Sequence, residues 1–464
     1  MSLFQGSGKC RKKSVKCQVS LPAGRQEVSG KRKNMRKNRI LNVVLLACIF
    51  IFMVNIVYSQ EQANVNELIT EALKNNPQIK AARMRYEAGM SRVKLLRSLA
   101  DPKLEFEYDK IRADMDALMR GKTAPMRTFG ISQEIPFPTK LFLRKQAAEQ
   151  EAKSLKEEFK EKENEIVQKV KEAYWTLSLN AKKLQITEDT KILLDQLIQT
   201  LTNRYSIGQV SQQEVLKAQT EYAKLDNEAI MLKQENGIFQ AMLKALLSRL
   251  QESDDFRAPL QLETKNLALD RPKLLGLLKE NRPELRAFQE MLRKSEIDYT
   301  LAKQEYLPDF MFKYQREERN SSAGGWAAMA GVTVPLWFWE KQSSFVKEAK
   351  AQLEEAKAEY KALENMLSSE LEAALVKIES QKRLAKLYET SFLPQAEAAF
   401  RTASIGFEAG KNDFLNFLDS ERMLLEFKLD YARVLVDLEL AHSELERAVG
   451  VDLSSLSSLS SLSS

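Results

Sequence analysis

Pro102-Lys103-Leu104-Glu105-Phe106-Glu107-Tyr108 and Pro308-Asp309-Phe310-Met311-Phe312-Lys313-Tyr314 carry one pattern twice, a proline followed by an aromatic alternation of period two. In the first stretch Leu104, Phe106 and Tyr108 fall on one face of an extended chain, and Lys103, Glu105, Glu107 and Asp109 fall on the other. In the second, Phe310, Phe312 and Tyr314 share a face. A period of two reads as β-strand. One aromatic and one acidic face suits a strand placed between lipid and a wet lumen, with Glu105, Glu107 and Asp109 toward the lumen.

The duplication continues outward. Pro77 stands 25 residues before Pro102, and Pro283 stands 25 before Pro308. Downstream, Phe129, Ile131 and Ile135 alternate with Gly130, Ser132 and Glu134 up to Pro136, and Gly331-Val332-Thr333-Val334 leads into Pro335. Strands are thus expected at about 103–109, 128–135, 309–315 and 328–336. Lys110–Arg127 and Arg316–Gly325 read as exposed polar connections. Two structural repeats follow, 60–270 and 271–450, and internal repetition takes precedence over any single motif.

Long helices fill the rest. From Thr139 to Asn203 there is neither proline nor glycine. Roughly 65 residues at 1.5 Å each make a rod of about 100 Å, longer than a globular core needs. In the second copy Leu353, Ala356, Tyr360, Leu363, Leu367, Leu371, Ala374 and Ile378 recur at spacings of three and four. That stripe buries one narrow face against a partner helix and leaves the remainder to water. Asn66–Ala100 and Pro272–Tyr306 read as the first helix of each copy, Ser211–Leu250 and Asp413–Val449 as return helices. Gly208 and Gly410 break the rods where a turn needs positive φ. Ser211 and Asp413 stand where an N-cap would start each return helix. Any helical hairpin needs such turns, so they establish no docking role by themselves.

The dense Glu/Lys content reads as solvated faces with i,i+4 pairing. His442, the only histidine, lies in a helical stretch and reads as structural. Helices with so narrow an apolar stripe offer a hairpin no core. Four strands cannot close a barrel either, and open edges are not tolerated in lipid. If these strands meet a membrane, several chains must share one barrel.

The net charge of +7 misleads, because residues 1–59 hold 12 Lys/Arg and a single acid, Glu27. What remains is mildly acidic and carries no basic footprint for nucleic acid. Met35-Arg36-Lys37-Asn38-Arg39, the apolar run Ile40–Tyr58 and Val57-Tyr58-Ser59 read as a signal peptide cleaved before Gln60, with Met35 the expected start and 1–34 without evident role. An uncleaved anchor is the competing reading, since about 19 apolar residues just span a bilayer. Cys10, Cys17 and Cys48 all fall in this leader, which suits an exported protein without disulfides. Leu45-Leu46-Ala47-Cys48 is a faint lipoprotein box. Residues 451–464 read as a disordered Ser/Leu tail. There is no Gly-rich phosphate loop, no paired nucleophile and base, and no His/Cys/Asp cluster, so neither an enzyme, a cofactor nor a metal centre is expected.

These features together resemble the outer-membrane efflux proteins, the TolC-like channel-tunnels of Gram-negative bacteria, over essentially residues 64–450. The resemblance is carried by Asn76-Pro77 and Arg282-Pro283, by the strand pairs before Pro136 and Pro335, and by Tyr205-Ser206-Ile207-Gly208 with Ser211, Leu216, Ala218 and Gln219. The second copy repeats that spacing as Phe407-Glu408-Ala409-Gly410 with Asp413, Leu418, Ser420 and Glu421.

The resemblance implies a mainly α fold with a small β part. Long antiparallel coiled-coil helices form a periplasmic tube, and each chain of a homotrimer gives four strands to one β-barrel in outer-membrane lipid. It further implies a passive conduit served by a periplasmic adaptor protein and an inner-membrane pump. The adaptor would dock at the tip turns, Tyr205, Gly208 and Ser211 in one copy and Phe407, Gly410 and Asp413 in the other. Family members often narrow the tip with acids at glycine plus six and plus nine of the second copy. Here those positions are Asn416 and Asp419, so Asp419 is the expected gate and selectivity residue and a double acidic ring is in doubt. The equivalent first-copy positions are Glu214 and Lys217. Gln133-Glu134-Ile135-Pro136-Phe137-Pro138-Thr139-Lys140-Leu141 looks like the junction of the heavy-metal-efflux branch, which usually has Gly in place of Thr139. The lean is therefore metal cations, against drugs, other small molecules or secreted proteins. The alternative of another class is an envelope coiled-coil scaffold anchored by Ile40–Tyr58.

Overall fold

The computed structural model describes residues 64–109, 126–250, 255–256, 270–319, 324–411 and 413–453. The expectations for the leader, its cysteines, the Ser/Leu tail beyond Leu453 and most of the 110–127 connection lie outside them.

Each copy opens with two helices where the sequence reading expected one. In the first, α1 spans Val65–Asn75 and α2 spans Pro77–Arg97. Pro77 disfavours helical backbone in the residue before it, and Asn76 accordingly sits at φ −67°, ψ 125°. Asn76 makes use of that geometry. Its side chain caps α2 by accepting from the Gln78 N–H at 2.8 Å and donates to the Leu246 carbonyl at 2.9 Å. Strands β1 (Lys103–Asp109) and β2 (Met126–Ile135) follow, then α3, an unbroken 69-residue helix from Pro138 to Ser206 that runs about 100 Å. The return helix α4 covers Gln212–Leu247.

The second copy repeats the plan as α5 (Arg271–Asn281), α6 (Pro283–Gln304), β3 (Asp309–Arg319) and β4 (Trp326–Thr333). Its break falls at Arg282, for the same proline reason. Its rod is not a single α-helix. A wide π turn at Phe338–Gln342 precedes α7 (Ser343–Leu387), and a second at Tyr388–Phe392 precedes α8 (Leu393–Glu408). Pro394, two residues beyond that second turn, has no N–H to give to an α-helical ladder. The return helix α9 runs from Phe414 to Val449.

The four strands form one antiparallel sheet in the order β1-β2-β3-β4. Three strands depart from their expected bounds. β2 begins at Met126, β3 extends to Arg319, and β4 runs 326–333 and so stops short of Val334 and Pro335. Residues 126–127 and 316–319, expected in loops, are therefore ladder. Arg316-Glu317-Glu318-Arg319 is charged throughout, so no apolar alternation marks it as strand.

Register sets the two faces. Phe106 pairs with Phe129 and Ile131 with Tyr314, while Glu105 pairs with Gly130 and Ser132 with Lys313. One face is therefore aromatic and strongly exposed, with Leu104 at 82%. The other is polar and cross-linked by Lys103–Glu134 at 2.6 Å and Lys313–Glu105 at 2.5 Å.

Apolar cores are thin and lie between helices, as the stripe requires. Leu274, Leu278, Leu367, Leu371, Ile378, Ala441 and Leu445 knit α5, α7 and α9; Leu68, Ala72, Ile166, Val170 and Leu243 knit α1, α3 and α4. Where sheet meets rod, Lys140 is 1% exposed. Its ammonium donates to the Leu307 carbonyl and to Asp309 Oδ1, both at 3.0 Å, and lies 3.5 Å from Glu305. Asp309 Oδ1 also accepts from the Phe137 N–H at 2.9 Å. One buried cation thus fastens the first-copy rod to the root of the second-copy sheet.

Candidate functional site

The rods end in two turns of identical construction. After α3, the Gly208 N–H donates to the Tyr205 carbonyl at 2.9 Å and the Gln209 N–H reaches back to Arg204 at 2.9 Å. After α8, Gly410 donates to Phe407 at 3.1 Å and Lys411 to Gly406 at 2.8 Å. This 6→1 pattern is the Schellman arrangement, which needs a left-handed residue. Gly208 and Gly410 supply it at φ 74° and 68°. Ser211 and Asp413 stand at the N-cap positions in extended conformation, and neither side chain makes a capping hydrogen bond.

The two turns differ in what they show to solvent. Tyr205 and Ile207 are exposed, whereas Phe407 is 6% exposed. Phe407 packs on Phe414 and Phe417, with ring centroids 6.1 and 5.5 Å away, inside a cluster that includes Leu201, Val215 and Leu418. Phe407, expected among the docking residues, thus lies in the core it forms with Phe414 and Phe417 of the next helix and not on the surface of the turn. Arg204 closes the arrangement. Its guanidinium stacks 5.0 Å from the Phe407 ring and donates to the Phe407 and Glu408 carbonyls at 3.1 Å each. A cation on the open carbonyls of a helix C-terminus is favourable, and here it ties one turn to the other. The only sequence signal for Arg204 is its place beside Tyr205.

Beyond the turns, Asn416 and Asp419 are both exposed and share a face of α9 at i,i+3. Asp419 lies 3.6 Å from Arg422. Arg422 in turn grips Glu221 of α4 through two bonds, at 3.0 and 2.5 Å, so the two return helices are clamped together. Burial works against the Glu221 charge, yet hydrogen bonds from Arg422 and Lys224 hold its pKa below the ordinary value. Glu421 has the opposite fate. It is 4% exposed, with Oε1 unpartnered. Burial, reinforced by the Glu221 charge, pushes its pKa up to about 7 against the pull of Arg422 and Lys428. In the sequence Glu421 is only a spacing landmark, because nothing in the pattern says which carboxylate of a charged helix faces inward.

On the sheet, Glu105 and Glu107 lie on the polar face, and Asp109 takes the next position of that face opposite Met126. His442 is buried on α9 with Nδ1 3.5 Å from Glu439. Among the described residues no cluster of three or more His, Cys, Asp or Glu is placed to hold a metal, and no helix is long and apolar enough to cross a membrane. The arrangement is a pair of clamped hairpin ends below a two-faced sheet.

A family described as "Outer membrane efflux protein" matches residues 68–249 and 274–451, one stretch in each repeat. The cobalt-zinc-cadmium resistance protein CzcC of Cupriavidus metallidurans is 25% identical over 287 residues, covering 62% of this chain and 68% of that protein. Among solved structures, the outer-membrane channel OprN superposes with a TM-score of 0.75 at 18% identity, over 84% of this chain and 90% of that one. The outer membrane protein VceC of Vibrio cholerae superposes at 0.72 with 17% identity, over 84% and 97%.

Proposed function

Because the chain belongs to the outer membrane efflux protein family, we propose that it is the passive outer-membrane conduit of a tripartite efflux assembly, with metal cations as cargo. The observation that carries this reading is the four-stranded sheet. It has an exposed aromatic face, a polar opposite face and two edges that pair no further among the described residues, and it is rooted on a rod of about 100 Å. Lipid takes the aromatic face and water the polar one, and further copies must cover the edges. Three copies would then share a barrel above a hollow helical tube. Energy would come from an inner-membrane pump through an adaptor seated on the exposed parts of the turns, Tyr205, Ile207 and the glycines.

The cargo rests on the relative from Cupriavidus metallidurans, whose name is that of a cobalt-zinc-cadmium resistance protein. Deleting the gene is expected to lower the tolerated concentration of zinc, cobalt or cadmium several-fold and to leave that of organic dyes unchanged. The reverse pattern would overturn the metal assignment while leaving the conduit.

Asp419 is proposed as the selectivity residue. Three copies around an axis make a ring of carboxylates that favours cations. In planar bilayers Asp419→Ala is expected to abolish most of the cation preference, read as a reversal potential in a salt gradient. A reversal potential and conductance identical to the parent protein would remove Asp419 from that role.

A further inference from the structure

The internal duplication fixes more than the architecture. The β1–β2 ladder pairs Lys103 with Ser132, and the β3–β4 ladder pairs Asp309 with Thr333. Laying one hairpin on the other places Lys103 on Asp309 and Ser132 on Thr333. Side chains agree with that placement along both strands: Phe106 falls on Phe312, Tyr108 on Tyr314, Gly130 on Gly331 and Ile131 on Val332. The proline landmarks would set β4 two residues differently and would put Gly130 on Met329, so the ladders and the side chains choose the same alignment against the prolines.

The hairpins join within the chain through β2 and β3, where Ile131 faces Tyr314 and Gln133 faces Phe312. Nothing among the described residues covers the outer edges of β1 and β4. Both edges carry exposed apolar side chains: Leu104, Phe106 and Tyr108 on β1, and Val332 with the adjoining Val334 on or after β4. If the barrel is built of like units, each seam between copies repeats the seam within a copy.

We propose that the partner at these edges is a second copy of this chain, held in a register that places Val332 opposite Tyr108 and Val334 opposite Phe106 of that copy. This rests on the shared-barrel reading and adds the register to it. The pairing is chemically consistent. Val332–Tyr108 reproduces the Ile131–Tyr314 pair on the lipid-facing side, and Thr333 meets Glu107 on the polar side without bringing like charges together. Gly331 meets Asp109 as Gly130 meets Gln315. The register also extends the ladder through Val334, which pairs with no strand among the described residues. A slip of two residues keeps the faces but loses these matches, and a slip of one puts Val332 against a polar position.

Paired cysteines test it in the full chain, with Cys10, Cys17 and Cys48 replaced by serine. Directly opposed Cβ atoms meet the distance a disulfide needs, whereas diagonal neighbours do not. Val332→Cys with Tyr108→Cys, oxidised in isolated outer membranes, is expected to convert most of the protein to a trimer that survives boiling and is released by reductant. Val332→Cys with Phe106→Cys, two residues out, is expected to leave a monomer on the same gel. Ile131→Cys with Tyr314→Cys is the intrachain control for geometry and oxidation. A boiling-stable trimer from the displaced pair instead would overturn the register and leave the shared barrel standing. If the control closes and neither seam pair does, a trimer on an unheated gel again overturns the register alone, and a monomer there overturns the barrel with it.

Discussion

Lys140→Met is expected to lower the temperature at which the assembled protein dissociates and to reduce its recovery from outer membranes several-fold. Methionine nearly fills the space but brings no charge, so Asp309 and the Leu307 carbonyl lose the cation they surround. Removing one partner of a fully buried pair costs about 3–5 kcal/mol. The carboxylates here are partly wet, Glu305 at 33% and Asp309 at 40%, and can be rehydrated. The expected loss is therefore about 2–3 kcal/mol, still a large share of the 5–15 kcal/mol typical of a folded domain. Asp309 also holds the Phe137 N–H at the start of α3, so damage should spread into the sheet–rod junction. Asp309→Asn added to Lys140→Met should then cost much less than it does alone. Equal dissociation temperatures for Lys140→Met and the parent, or full additivity in the pair, would refute the fastening role.

The second large effect is a pH dependence at the tip. Glu421 titrates at about 7 when folded, against 4.5 for an unperturbed glutamate. Between those values the folded state holds a proton that the unfolded state has released. The Glu421 contribution is consequently full below the ordinary carboxylate pKa and is lost as pH rises through about 7. A gap of this size corresponds to something on the order of 3 kcal/mol. The groups around Glu421 are Glu221 from α4, Asp189 from α3, and Arg422 and Lys428 from its own helix. Hydrogen exchange in α4 and α9 near the turns should accelerate, beyond the intrinsic rate, from pH 5.5 to pH 8. In Glu421→Gln that excess should vanish, leaving the tip more protected than the parent above neutrality. An excess of the same size in the glutamine variant would assign the pH dependence to other groups.

Much of this was legible in the sequence because it depends on period and punctuation. The alternation of Leu104, Phe106 and Tyr108 and its copy at Phe310, Phe312 and Tyr314 set the strands and their faces. The seam from Leu353 to Ile378 is buried as its spacing requires, save that Ala356 and Tyr360 are only half-buried. Gly208 and Gly410 take the positive φ their positions demanded. What escaped depends on three-dimensional neighbours. Pro77 and Pro283 split helices that periodicity had joined. Phe407 could be placed at a turn from sequence, but its burial comes from Phe414 and Phe417 on another helix. Arg204, Lys140, Glu421 and the Arg422–Glu221 clamp are single charged residues in a chain crowded with charge. Only contacts separated by about 200 residues in sequence distinguish Arg204 and Arg422 from their solvated neighbours.

The two rods are not mechanical equals. In α3 the hydrogen-bonded ladder runs without a fault from sheet to turn, and a continuous helix resists bending and twisting along its whole length. The second-copy rod has a wide turn at Tyr388–Phe392 followed at once by Pro394, where a bond is missing and the coil is locally loosened. Load applied at the tip is therefore shared unevenly. Strain collects in the softer member near that turn, while the stiffer one keeps its length and direction, much as a jointed strut beside a solid one yields first and always in the same place.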